Sequence, residues 1–214
     1  MARPAADDDR ASAARTERRR QILDAAKGVF ADAGYHGASI GAIIDRAAIA
    51  RGTFYLYFES KEAVFAALLD EAMAELRRRV VRIDTGGAAP SPEAQLVESL
   101  GRILEFIVAD RPLAVVLLSS TWTPDAEAAA RLQAFYDEIR SVIALSLQAG
   151  MALGIVRRCD PVPTAAALLG LVRGLVEHCV SHELDQPIAH VTRQLVDVAL
   201  RGVLRTPSVS EGPK

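Results

Sequence analysis

Five times between residues 91 and 187 a residue able to cap a helix is followed closely by proline: Ser91-Pro92, Asp110 with Pro112, Thr123-Pro124, Asp160-Pro161 and Asp185 with Pro187. An N-cap oxygen satisfies an orphan backbone N–H, and proline in the first turn has no N–H to lose. Each pair therefore predicts a helix start. Behind four of the starts, apolar residues recur at three- and four-residue steps: Leu96, Leu100, Ile103, Leu104 and Ile107, then Leu132, Phe135, Ile139, Val142, Ile143 and Leu147, then the runs to about His182 and Leu204. The start at Asp110 opens a short apolar run, Leu113 to Leu118. No stretch alternates with period two for long and no hairpin turn joins two strand-like runs, so the expected fold class is all-α.

The first half reads the same way at shorter range. A helix is expected from about Thr16 to Ala33, with Ile22, Ala25, Ala26, Val29, Phe30 and Ala33 on one face and Gly34 at its C′ position. Ser39 caps a short helix, Ile40 to Ala47. A link of four residues leads to another, about Gly52 to Phe58. Two short helices across a tight turn, with apolar residues at 43, 47, 49 and 54, have helix-turn-helix spacing. Ser60 then caps a long helix to about Arg82, which at 1.5 Å per residue would reach about 33 Å and could join two domains. Residues 1–14 and 206–214 are small and polar and are expected to be disordered tails.

Composition narrows the function. Net charge is −2, so the chain is not a generally basic nucleic-acid binder. Residues 10–58, however, hold eight Lys/Arg against four Asp/Glu, and residues 83–214 hold eleven against fifteen. A basic module on an acidic body suits local DNA binding. Arg15, Arg18, Arg19 and Arg20 crowd the positive end of the first helix dipole, where a nearby phosphate would offset the cost. Cys159 and Cys179 lack CxxC spacing and read as reduced thiols of a cytoplasmic protein. No secretory leader, membrane span or cofactor fingerprint is expected. No nucleophile–base pair or phosphate-cradling glycine loop occurs either, which sets a helical enzyme or an adaptor behind a DNA-binding reading. His178 and His182 are spaced for a metal, but no second ligand pair accompanies them.

Four of the eleven Phe, Trp and Tyr residues fall within Gly52–Phe58, as Phe54, Tyr55, Tyr57 and Phe58, followed by Glu59, Ser60, Lys61 and Glu62. This stretch, behind its short capped helix and before an all-helical body, resembles the TetR family of bacterial transcriptional regulators. The resemblance is specific over about 45 residues and covers the rest only in length and helicity. It implies a helix-turn-helix domain over residues 15–60 and a ligand-binding and dimerisation bundle over 61–205. It implies a homodimeric repressor on a palindromic operator, released by a small, largely apolar effector; a ligand-independent regulator or an activator is the alternative. Carried over by position, Arg51, Gly52 and Leu56 would face base edges, and Ser39, Thr53, Tyr55, Tyr57 and Lys61 would touch or flank phosphates. Arg51 can address guanine bidentately, and Leu56 only a thymine methyl. Phe54 and Phe58, four apart, are expected to point inward.

Three positions depart from the family pattern: Ala48 stands where the turn favours glycine, Ala50 where a hydroxyl caps the recognition helix, and Gly41 where a DNA-facing side chain is common. In the body, Phe106, Trp122, Phe135, Tyr136 and Met151 each read first as core; as a set, with polar groups such as Arg173 and His178, they are candidate pocket residues. The last two helices are apolar on more than one face, which predicts a second burial partner and, most economically, a four-helix dimer interface. Two recognition helices held that way would sit about 34–36 Å apart, one turn of DNA, or one turn further. Effector binding would tilt the long helix and change that spacing.

Overall fold

The computed structural model describes residues 4–81, 83–119, 126–182 and 186–201. Their regular structure is entirely helical: α1 Pro4–Gly37, α2 Ile40–Ala47, α3 Arg51–Tyr55, α4 Lys61–Arg79, α5 Pro92–Ala109, α6 Arg111–Leu118, α7 Ala126–Ala152, α8 Pro161–Ser181 and α9 Ile188–Arg201. The predicted caps are in place where they can be followed. Ser39, Ser60, Ser91, Asp110 and Asp160 each accept a backbone N–H from the first turn that follows. The Thr123-Pro124 and Asp185 starts, Trp122 and the 206–214 tail lie outside the described residues.

Several bounds differ from expectation, and α3 spans Arg51–Tyr55 where Gly52 to Phe58 was expected. Helix α1 begins at Pro4, so residues 4–14 of the segment expected to be a disordered tail are helical. Proline suits a first turn, and the following residues are rich in alanine and arginine, both strong helix formers. Gly34 interrupts α1 with φ 67°, the left-handed region that a Cβ would disfavour, so the helix breaks where predicted and resumes for one turn. Helix α4 stops at Arg79, and at 19 residues it is about 28 Å long. Beyond it, Gln95 is buried on α5 and ties down the connecting loop: its amide donates to the carbonyls of Asp84 (2.8 Å) and Pro90 (2.7 Å) and accepts from the Asp84 N–H.

One continuous core runs from Ile22 on α1 to Val176 on α8. In its N-terminal part, α1, α2 and α4 close over Phe54 and Ile43, both fully buried. The body is built by α7 against α8, α5 against α9 and α6 against α8. The two parts meet along α1 and α6, and α4 leans on α7. Helix α8 is long and apolar enough to cross a membrane by length and composition, although only 22% of its most apolar window is buried. It packs on α7, α6 and α5 and carries Arg173 and Glu177, so its uncovered apolar side is one face of a bundle helix.

Candidate nucleic-acid interface

The α2–α3 turn is where local sequence and geometry are most at odds. Ala48 takes φ 50°, ψ 47°, the left-handed conformation, and is the one non-glycine with positive φ among the described residues. Its N–H reaches Asp45 O (3.1 Å), and Ile49 N–H reaches Ile44 O (3.3 Å), closing the end of α2. Gln21 on α1 adds an amide donor to Ala47 O (2.7 Å), a support the sequence reading missed because only tertiary packing brings the two together. Ala50 caps α3 with its backbone alone.

Helix α3 is anchored from beneath. Phe54 is fully buried, Phe58 is 6% exposed, and both belong to the core as expected. The outer side is open: Leu56 is 74% and Tyr55 45% exposed, large values for side chains of their type. Arg51 and Gly52 are exposed beside them. The Arg51 guanidinium lies 5.8 Å from the Tyr55 ring centre, so these two four-apart side chains form one unit. A Cβ on Gly52 would meet nothing within 4 Å, so packing inside this chain does not require glycine there. Thr53 and Tyr57 are half-buried at the margins, Tyr57 packing against the core. Ser39, exposed at the start of α2, spends its hydroxyl oxygen on the Ala42 N–H.

Lys61 has a second task. Its ammonium donates to Tyr35 O (2.9 Å) and Ala38 O (3.2 Å) and sits 4.3 Å from the Tyr35 ring centre. It thereby ties the start of α4 to the end of α1. Two of its three N–H bonds are engaged, which leaves one for an outside acceptor. Beside it, the Glu62 carboxyl is held below its ordinary pKa, first by its own backbone N–H, then by the Ser60 hydroxyl, with Tyr35 adding a further hydrogen bond. The basic start of α1 is partly spoken for: Arg19 pairs with Glu71 and lies over Phe58, and Arg20 pairs with Glu17. Among the described residues, Arg18 bonds only the neutral Gln21.

The candidate pocket residues fall into separate places. Phe135 and Tyr136 are buried together, edge to face, and the Tyr136 hydroxyl donates to Leu117 O. Burial raises the Tyr136 pKa. Arg173 covers that ring at 4.3 Å, so these three residues do meet. Met151 sits apart, near the end of α7, with its sulfur accepting from Cys159 N–H. His178 is exposed and stacks on His182 at 4.7 Å; among the described residues no three potential metal-ligating side chains come together. Phe106 lines an open cleft of about 800 Å³ between α4, α5 and α6, with Arg78, Arg79, Arg102, Glu105 and Asp110 around it. Asp110 also bonds Lys27 of α1 and caps α6 through the Leu113 N–H. Burial opposes the Lys27 charge, but the bonds to Asp110 and Asp24 outweigh it and raise its pKa.

With this geometry in view, comparisons with known proteins become specific. Residues 22–68 match the model for bacterial regulatory proteins of the tetR family, and residues 89–203 match the model for a tetracyclin repressor-like C-terminal domain. An HTH-type transcriptional regulator of Bacillus subtilis, YdgC, is 24% identical over 191 residues, 88% of this chain and 93% of its own length. The fatty acid metabolism regulator protein of the same organism is 33% identical over 96 residues, 45% of this chain and 48% of its own. The crystal structure of the transcriptional regulator FadR from B. subtilis, in complex with stearoyl-CoA, superposes with a TM-score of 0.73 at 20% identity, covering 86% of this chain and 99% of that one.

Proposed function

The chain belongs to the tetR family of bacterial regulatory proteins, a DNA-binding transcriptional regulator, and from that premise we propose that it is a repressor. It grips a palindromic operator as a homodimer in the cytoplasm and leaves when a largely apolar small ligand binds its body. DNA recognition is assigned to residues 15–60, and sensing and dimerisation to 61–205. The observation that carries the reading is the outer side of α3. Arg51, Gly52, Tyr55 and Leu56 stand exposed on a five-residue helix and its C-cap, pinned from within by Phe54 and, just beyond, by Phe58. Arg51 and Leu56 read base edges, Gly52 admits close approach, and Tyr55, Thr53 and Tyr57 set register through phosphates. Ser39 and the remaining Lys61 N–H extend the backbone contacts. The reading leaves no role for catalysis.

Dimerisation is supported by the unpartnered side of the last helices. Leu171 and Val198 are 40% and 37% exposed, and a Cβ on Gly170 or Gly174 would meet nothing within 4 Å, so a second α8 can approach closely. For the effector, a fatty acyl thioester is the class suggested by the stearoyl-CoA-bound regulator that shares this fold. Its signal has a short route: the Lys27–Asp110 pair joins α1 directly to the start of α6. The ligand must favour the arrangement that DNA does not accept, or it releases nothing.

Fluorescence anisotropy with DNA from upstream of the chain's own gene tests this. Wild type should bind with salt-dependent affinity. Arg51→Ala should weaken binding by about 1–3 kcal/mol and relax preference at one base position. Tyr57→Phe, which keeps the packing and removes the hydroxyl, should weaken it more evenly across sequences. Equal binding by both variants would overturn the DNA assignment, and release by no acyl thioester would overturn the sensor assignment.

A further inference from the structure

The cleft between α4, α5 and α6 has the chemistry of a receptor for a multiply charged anion. Three of its lining side chains are arginines, Arg78 and Arg79 from α4 and Arg102 from α5. Each is held by a carboxylate of its own helix: Arg78 and Arg79 by Glu75, and Arg102 by Glu98. In each case one terminal nitrogen makes those bonds, and the Nε and the other terminal nitrogen have no partner among the described residues. Arg79 is further fixed, with its guanidinium 4.1 Å from the Phe106 ring centre and one nitrogen on Glu75 O at 3.0 Å. A guanidinium oriented in advance loses less freedom when it binds an oxyanion, and its fork suits phosphate oxygens.

Two acids also line the cleft, and their situations differ. Asp110 is already engaged, by Lys27 and by the Leu113 N–H, so its charge is compensated. Glu105 is exposed and has no partner among the described residues, so it opposes an anion. Among the lining side chains arginines outnumber acids three to two, and each arginine keeps two nitrogens unbonded among the described residues. The cleft is open to solvent, which admits a solvated polyanionic group. We propose that this cleft binds a di- or polyphosphate group through Arg79, Arg102 and Arg78. The source is either a free polyphosphate or the coenzyme A portion of an acyl thioester. In the second case the proposal deepens the effector reading above and rests on it for the release step alone. A phosphate bound here lies beside Asp110 and therefore beside the partly buried Lys27–Asp110 ion pair between α1 and α6.

The test is direct titration calorimetry of the full chain with four probes: inorganic pyrophosphate, coenzyme A, stearoyl-CoA and stearate. Expected is saturable binding of at least one phosphate-bearing probe, weakened by salt. Arg79→Gln with Arg102→Gln should lower that affinity by roughly tenfold or more, because charge-assisted hydrogen bonds are lost. Glu105→Gln should raise it several-fold, a gain that misfolding cannot imitate. Arg131→Gln, on α7 outside the cleft, should change nothing. Pyrophosphate binding that depends on the arginines identifies a free polyphosphate site; dependence limited to the coenzyme A compounds identifies the thioester. The proposal is overturned if no phosphate-bearing probe binds, or if the double variant and Glu105→Gln bind like wild type. Operator release is measured separately, so a cleft that binds phosphate without releasing DNA contradicts the effector reading and leaves the cleft assignment standing.

Discussion

The N-terminal helices and the last two helices bury their apolar residues to very different degrees. Around α3, Ile22, Leu23, Ile43, Phe54 and Val64 are each at most 2% exposed, a core closed by its own chain. On α9 only Thr192 and Val196 are buried, and on α8 only Ala165, Leu169, Val176 and Cys179 are. Leu145, Leu171, Val198 and Leu200 remain 64%, 40%, 37% and 52% exposed. One region is closed around its core within a single chain, and the other leaves apolar surface uncovered. The open part of the first region sets Arg51 and Tyr55 beside the apolar Leu56, a mixed surface that suits base edges, while the open part of the second is apolar.

The largest effect should come from breaking the closed region. Phe54→Ala removes a fully buried ring at the centre of the N-terminal core and should cost about 3–5 kcal/mol. Chemical denaturation should show the loss unchanged between micromolar and higher protein concentration, because no second chain contributes there. Next comes the open region. Leu171→Arg buries little within one chain, so the monomer should fold, but a charge then stands on the apolar face. Sedimentation velocity should show monomer where wild type is dimer. Operator affinity should fall by about 10²-fold or more as the second half-site contact ceases to be intramolecular. A Leu171→Arg protein that stays dimeric and keeps its affinity would remove the reason for calling the two regions different.

The joint between the regions gives a smaller effect. Lys27→Met breaks the pair with Asp110, which is partly screened because the two side chains are 17% and 28% exposed. A loss of about 1–2 kcal/mol is expected, below the cost of a fully buried pair. The pH dependence has a definite sign. The folded pKa of Lys27 is raised, so its contribution is fully present below the ordinary lysine value of about 10.4 and is lost only as pH rises through the higher folded value. Wild type and Lys27→Met should therefore differ by the same amount at every pH from 6 to 9 and converge only in strong alkali. Convergence near neutrality would mean that another group holds α1 to α6.

The same contrast explains what could be read in the chain. Helices α2 and α5 have the bounds expected from their caps, because Ser39 and Ser91 act on backbone atoms three residues away. Phe54 and Phe58 were legible as inward residues because spacing on a short helix leaves little choice. Lys61 was legible only as a basic residue near DNA; its bonds to Tyr35 O and Ala38 O depend on how α1 meets α4. The body was harder. Phe106, Phe135, Tyr136 and Met151 announce burial by type, but type does not say whether a ring faces a core or a cleft. Only Phe106 lines the cleft. The arginines beside it sit near the end of α4 and on the outside of α5, where sequence alone reads them as a solvated surface.

The smallest expected effects lie in the one weak place of the closed region, the turn between α2 and α3. Ala48 sits in the left-handed region, which costs an L-residue roughly 1–2 kcal/mol. Ala48→Gly relieves this but frees the unfolded chain by about 0.5–1 kcal/mol, so the net gain should be below 1 kcal/mol. Ala50→Ser should do slightly better. Ala50 already has the extended backbone of an N-cap, φ −71° and ψ 148°, and lacks only the side-chain oxygen. Supplying it is worth about 1 kcal/mol, which for a domain of this size corresponds to a rise in Tm of roughly 2–4 °C. Calorimetry on both variants checks the order. If Ala48→Gly destabilises the protein instead, the left-handed residue is not strained, and the N-terminal region has no slack to recover on its inner side. The body would then be the one place where this chain leaves stabilisation to a partner.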